Sequence, residues 1–226
     1  MLTPETAPST LYSTFVTWEN VDMDSARLAH RWRLTDPGRA PGEIVREFIR
    51  PAVRAVPHLM ARRLGCCKIS LLSLADSKAT SQWAESELGL DVAVTTSGLE
   101  GHDVAMELLL CLGQALWGKL TTEELRAYWT LLDQELGEGV TGEIDEQALE
   151  AKRSLLSGRA DQLERYGFAS FAGTAAEYVH CLWHDVTARA GPDHLPAQHL
   201  RRRLTLLARW FPAGRGYRLY PAGKSG

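Results

Sequence analysis

The chain has no long hydrophobic run, and nothing at its start resembles the positive and then apolar regions of a secretory leader. A bilayer-spanning helix needs about 20 apolar residues in succession, so a cytoplasmic protein with no membrane association is expected. Cysteine is scarce: Cys66, Cys67, Cys111 and Cys181 show no CxxC spacing, which argues against a zinc ribbon or a disulfide framework and for reduced thiols. Phosphate loops of the GxxxxGK[ST] type are absent, as are the GxSxG elbow and the EF-hand spacing. The backbone chemistry those sites require is therefore not encoded. Neither repeats nor low-complexity tracts occur, and 45% hydrophobic with 23% charged residues over 226 positions suits one folded domain.

Charge is present but uneven. Arg201, Arg202, Arg203, Arg209, Arg215, Arg218 and Lys224 follow Leu200 with no acidic residue among them. Asp133, Glu135, Glu138, Glu143, Asp145, Glu146 and Glu150 form an acidic stretch without a Lys or Arg. These segments are expected to pair, within the fold or between subunits, so a homo-oligomer is one outcome. Trp210, Phe211, Tyr217 and Tyr220 interleave with the basic residues, but net charge is negative and nucleic acid is not expected as a partner.

Residues 1–42 read as an irregular arm with a short helix near Asp24–Arg33, residues 43–212 as the domain, and residues 213–226 as a basic tail. An apolar stripe of Ile44, Phe48, Val53, Val56, Leu59 and Met60 predicts a helix over Glu43–Leu64, kinked or divided at Pro51 and Pro57. Lys68–Leu74 and Leu90–Thr96 alternate as strands, and Thr80–Ser86 is a weaker third. An almost wholly apolar helix follows from His102 to Trp117. Thr121 with Glu124 forms a capping box opening a helix to Gly137. Further helices are expected over Glu143–Ser157, over Phe171–Ala190 before Gly191-Pro192, and from Pro196 to just before Pro212. The fold class is α+β: a mainly helical single domain with a small mixed or antiparallel sheet packed on a buried central helix.

Three helical patterns bear on metal chemistry. His180 and His184, four residues apart, share a helix face as zinc-binding imidazoles do. Glu177-x-x-His180 has the spacing of a di-iron ligand unit, which such bundles use twice and which occurs here once. Glu177, His180 and His184, joined by His102 or Glu107, make one candidate metal site, although a polar or capping pair is the plainer reading of the two histidines.

The third pattern lies on the central helix. Leu110-Cys111-Leu112-Gly113-Gln114-Ala115-Leu116 resembles the His-Glu-Leu-Gly-His-Ala-Leu helix of zincin metallopeptidases, and Phe171-Ala172-Gly173-Thr174-Ala175-Ala176-Glu177-Tyr178 is similar to the third-ligand helix of gluzincins. The resemblance implies a zincin-like fold from about Glu43 to Ala190 in which Leu110, Cys111, Gln114 and Gly173 replace the ligands and the general base. Such a protein binds no zinc there, needs no cofactor, is not expected to be an enzyme, and would serve as a binding or assembly module for a protein or peptide partner. A shifted register, His102-Asp103-Val104-Ala105-Met106, keeps a His and a carboxylate, but Asp103 is explained by the helix dipole.

Overall fold

A computed structural model describes residues 25–35, 41–72, 80–87, 89–184 and 191–219. Five strands form one mixed sheet: β1 (Ser25–Arg27), β2 (Arg33–Thr35), β3 (Cys67–Leu72), β4 (Ser81–Ser86) and β5 (Gly89–Thr95), in the order β1-β2-β3-β5-β4. The two outer pairings are antiparallel, while β3 runs parallel to both β2 and β5. Alternation sets the faces: Cys67, Ile69 and Leu71 lie opposite Leu90, Val92 and Val94 in register, and all six are buried.

The expected helix near Asp24–Arg33 is instead the β1–β2 hairpin, so the sheet reaches into the segment expected to be an arm. His30 and Arg31 sit at φ 57° and 66°, and the Trp32 amide donates to the Ala29 carbonyl at 2.9 Å. Two left-handed residues inside such a bond make a primed turn, and the register that pairs Arg27 with Arg33 leaves this hairpin one residue longer than the two-residue form. Trp32 is fully buried behind it, its indole N–H bonded to the Gly65 carbonyl at 2.9 Å.

Helix α1 (Gly42–Ile44), a π-helical turn (Val45–Ile49) and α2 (Arg50–Ala55) run on continuously. Pro51 has no N–H and its ring crowds the preceding turn, and the widened π turn directly before it relieves that conflict. At Pro57 the chain does divide, and α3 (His58–Leu64) begins. The remaining helices are α4 (Gly101–Trp117), α5 (Thr122–Gly137), α6 (Glu146–Leu156), α7 (Leu163–Trp183) and α8 (Ala197–Trp210). The capping box at Thr121 and Glu124 is formed in both directions. Helix α7 starts two turns earlier than expected because Gly167 is a packing residue: a Cβ there would lie 2.2 Å from the Trp129 ring. Residues 185–190, where the expected helix end falls, and Tyr220 with the rest of the tail lie outside the described residues.

The fold is thus α+β, mainly helical, with the sheet against a buried α4. Among the described residues no single helix is long and apolar enough to cross a membrane. The charge segments pair within the chain. Arg203, fully buried on α8, donates to Glu143 at 2.7 and 2.8 Å and to Glu135 at 3.0 and 3.2 Å, while the exposed Arg202 holds Glu138 at 2.9 Å. Lys152, also fully buried, donates to Glu143 and to the Gly142 carbonyl at 3.0 Å each, and the Tyr166 hydroxyl donates to Glu143 at 2.7 Å. Burial pushes the Glu143 carboxyl up, but Arg203, Lys152 and the Tyr166 hydroxyl outweigh it and hold the group at about 2.

Candidate metal centre

The site is built by how α4 crosses α7. The two helices pack closely because both are lined with small residues at the crossing: a Cβ on Gly113 would lie 2.6 Å from the Ala172 carbonyl. That contact sets the antiparallel register. His102 lies eleven residues before Gly113, and His180 and His184 lie eight and twelve residues after Ala172. At about 1.5 Å per residue the offsets are roughly 16 Å on one helix and 12 to 18 Å on the other, so the three histidines arrive at the same level.

Their geometry follows. Nε2 of His102 and Nε2 of His180 face one another at 2.9 Å. Ring centroids are 4.8 Å apart for His102 and His180, 5.5 Å for His102 and His184, and 5.4 Å for His180 and His184. A tetrahedral ion held through Nε2 at about 2.0–2.1 Å spaces its imidazole centroids roughly 5 Å apart, close to all three values. Among the described residues no set of three or more His, Cys, Asp or Glu side chains already stands in metal-holding geometry. The rings have the right spacing, and the His102–His180 contact must open by about half an ångström to reach tetrahedral ligand separation.

Carboxylates lie on the far sides of two rings. Glu177 Oε2 is 3.3 Å from Nδ1 of His180, which favours a proton on Nδ1 and a lone pair on Nε2. Asp103 Oδ1 is 3.6 Å from Nδ1 of His102, an ion-pair distance rather than a hydrogen bond. His180 is 7% exposed and His184 is at the surface, so the cluster is closed toward the core and open toward solvent. Burial first, and then the neighbouring His180, push the His102 pKa down against the pull of Asp103. A neutral His102 at pH 7 is the form that binds metal.

No family model, curated protein or solved structure matches this chain. Its geometry is therefore the ground for any functional argument.

The positions singled out by sequence separate into two groups. Glu177, His180 and His184 come together with His102. Glu107 does not join them, because its carboxylate accepts from the Ser81 hydroxyl at 2.5 Å on β4. Leu110 is half-buried against the core, and Cys111 is buried, its thiol pushed up to about 12 chiefly by burial. Gln114 accepts from the Trp83 indole of β4 at 2.9 Å. Gly173 faces elsewhere: a Cβ there would lie 3.0 Å from Cβ of Asp145, the residue capping α6. Gln114 and Gly173 are thus directed at different elements, and Gly113 and Gly173 each have a packing reason to be glycine.

Two residues near the cluster carried no sequence signal for it. Asp103 reads from sequence as a helix-dipole residue, and only the folded His102 gives it a partner. Trp183 packs edge-on to His180 and His184 with centroids at 5.8 and 5.3 Å, and its indole nitrogen is buried without a hydrogen-bond partner among the described residues.

Proposed function

We propose that this is a transition-metal-binding protein whose ligands are His102, His180 and His184, with Glu177 orienting His180. The observation that carries the reading is the near-equal spacing of three imidazoles from two helices, at the separation that one tetrahedral ion imposes. Three nitrogen donors suit an ion of the Zn²⁺ class. Exposure on the His184 side leaves a fourth position facing solvent, the arrangement of a site that binds a further ligand. We place the protein in the cytoplasm, where its four unpaired cysteines would stay reduced.

The test is a Zn²⁺ titration of the whole chain against a chromophoric chelator. One equivalent should bind, His180→Ala and His184→Ala should each abolish it, and Glu177→Gln should weaken it by about 10- to 100-fold. Metal content indifferent to both histidine substitutions would overturn the reading.

A second reading is the noncatalytic zincin-like binding module. What supports it is that α4 and α7, the helices bearing the two motif-like stretches, pack directly on one another at Gly113 and Ala172. Stoichiometric zinc that disappears in a Gln114→Ala variant would remove it.

A further inference from the structure

Among the described residues, buried side-chain nitrogens on His30, Trp183 and His199 lack a hydrogen-bond partner. His30 packs against Trp32 in the hairpin turn, and His199 faces the carboxylates of Glu135 and Glu138 at 3.9 and 3.7 Å, so neither bears on the metal centre. Trp183 does. Its indole is half-buried and packs edge-on to His180 and His184, with centroids at 5.8 and 5.3 Å. An indole N–H can only donate, and a donor shielded from water without an acceptor is unfavourable enough to be rare. Glu177, the nearest carboxylate on α7, is already engaged: Oε2 lies 3.3 Å from Nδ1 of His180, and Oε1 accepts from the Cys181 thiol at 3.8 Å.

The helix ends at this level favour a cation with an anion on it. Helix α7 finishes at Trp183, so its carbonyl end, which favours positive charge, stands beside the imidazoles. Helix α4 opens after Glu100 with no side-chain cap, so the amides of Gly101, His102 and Asp103 have no intrahelical acceptor and give this end a positive character. A divalent ion on three neutral imidazoles keeps its own charge. Of the two carboxylates behind the rings, Asp103 is 56% exposed and screened by water, which leaves Glu177 to offset part of that charge.

We propose that the fourth position takes a small carboxylate, bound to the metal through one oxygen and accepting the Trp183 indole N–H on the other. This deepens the metal-binding reading and rests on it. The donor set selects the class of ligand. A carboxylate gives one oxygen to the ion and keeps a second acceptor for the indole, and its charge strengthens that hydrogen bond. A neutral nitrogen base such as imidazole spends its lone pair on the metal and has no acceptor left, so Trp183 discriminates between the two.

The test uses the full chain loaded with Co²⁺, whose visible absorption reports its ligands, titrated separately with acetate and with imidazole. Acetate should give a saturable spectral change. Trp183→Phe keeps the aromatic wall and removes the donor, so it should bind Co²⁺ as tightly as the native chain and acetate about tenfold or more weakly, with imidazole affinity unchanged. In the zinc-loaded native chain labelled with ¹⁵N, the indole resonance absent from the variant should move downfield on adding acetate. Equal acetate affinity in both proteins, an equal loss for imidazole, or an unmoved indole resonance would each overturn the proposal. Tighter binding of N-acetyl-glycylglycine than of acetate would overturn the small-acid assignment in favour of a peptide C-terminus. Failure of the native chain to take up Co²⁺ would remove the metal-binding reading itself, whereas uptake with a spectrum indifferent to acetate removes this proposal alone.

Discussion

Replacing Arg203 with Met probes the densest interaction among the described residues. The guanidinium is fully buried and makes two hydrogen bonds to Glu143 besides its fork onto Glu135, with Ser170 Oγ at 2.8 Å. Met has comparable length, so the change removes charge while leaving little void. Glu143 keeps Lys152 at 3.0 Å, whereas Glu135 keeps, among the described residues, only His199, whose Nδ1 is 3.9 Å away. Removing one partner of a buried ion pair costs about 3–5 kcal/mol because the other charge is stranded. For a domain of this length that is roughly 6–20 °C in melting temperature. Urea unfolding should show a lowered midpoint with an unchanged slope. The pH dependence separates charge from packing. In the native chain Glu143 is held at about 2, so its contribution is present above the ordinary carboxylate pKa and is lost as pH falls toward 2. In the variant, buried carboxylates without the guanidinium take up protons more readily, so the deficit should be largest near pH 7 and narrow toward pH 5. Adding Glu135→Gln to Arg203→Met should recover part of the loss. A deficit below about 1 kcal/mol at pH 7, or one that widens on acidification, would refute the account.

Other consequences are equally measurable. Gly113→Ala pushes a methyl to within 2.6 Å of the Ala172 carbonyl and should destabilise by about 1–3 kcal/mol; an unchanged urea midpoint would show that α4 and α7 do not cross there. Arg31 holds φ 66°, so Arg31→Val should be less stable than Arg31→Gly by about 1–2 kcal/mol, and equal melting temperatures would count against the primed turn. Zn²⁺ affinity should fall steadily from pH 7.5 to 5.5, because protons compete for the imidazoles. His102 is depressed below 6.5, so its neutral form also favours folding above that value and disfavours it once the ring is protonated. A flat affinity profile would exclude imidazole ligation.

The legible part of the fold was whatever depends on period or capping within a short window. Leu90–Thr96 alternates and forms β5 over Gly89–Thr95, and the Thr121/Glu124 box opens α5 as its residues dictate. The β1–β2 hairpin was not legible because His30-Arg31 carries none of the Asn-Gly chemistry that marks a primed turn. Its left-handed residues are held by the long-range pairing of β2 with β3 and by the burial of Trp32. The same division runs through the site. The face shared by His180 and His184 is a property of one helix and could be read from spacing alone. His102 joins them only through the helix crossing, which depends on two residues with no chemistry of their own, Gly113 and Ala172.

Glycine is also where the sequence was most ambiguous. At Gly173 a missing side chain is equally compatible with a discarded ligand and with a close approach, and residue identity cannot separate the two. The neighbour can: Cβ of Asp145 stands 3.0 Å from where the first atom of any side chain would go. A glutamate introduced at Gly173 therefore presses on the cap of α6, whose Oδ1 accepts from the Gln147 and Ala148 amides. Gly173→Glu should accordingly destabilise by at least the roughly 0.5–2 kcal/mol that loss of an N-cap costs, with no gain in zinc affinity. If Gly173→Glu together with Leu110→His and Gln114→His instead produced a tight zinc site in a stable protein, the three positions would converge after all. The small residues would then mark a vacated metal centre rather than a crossing of helices.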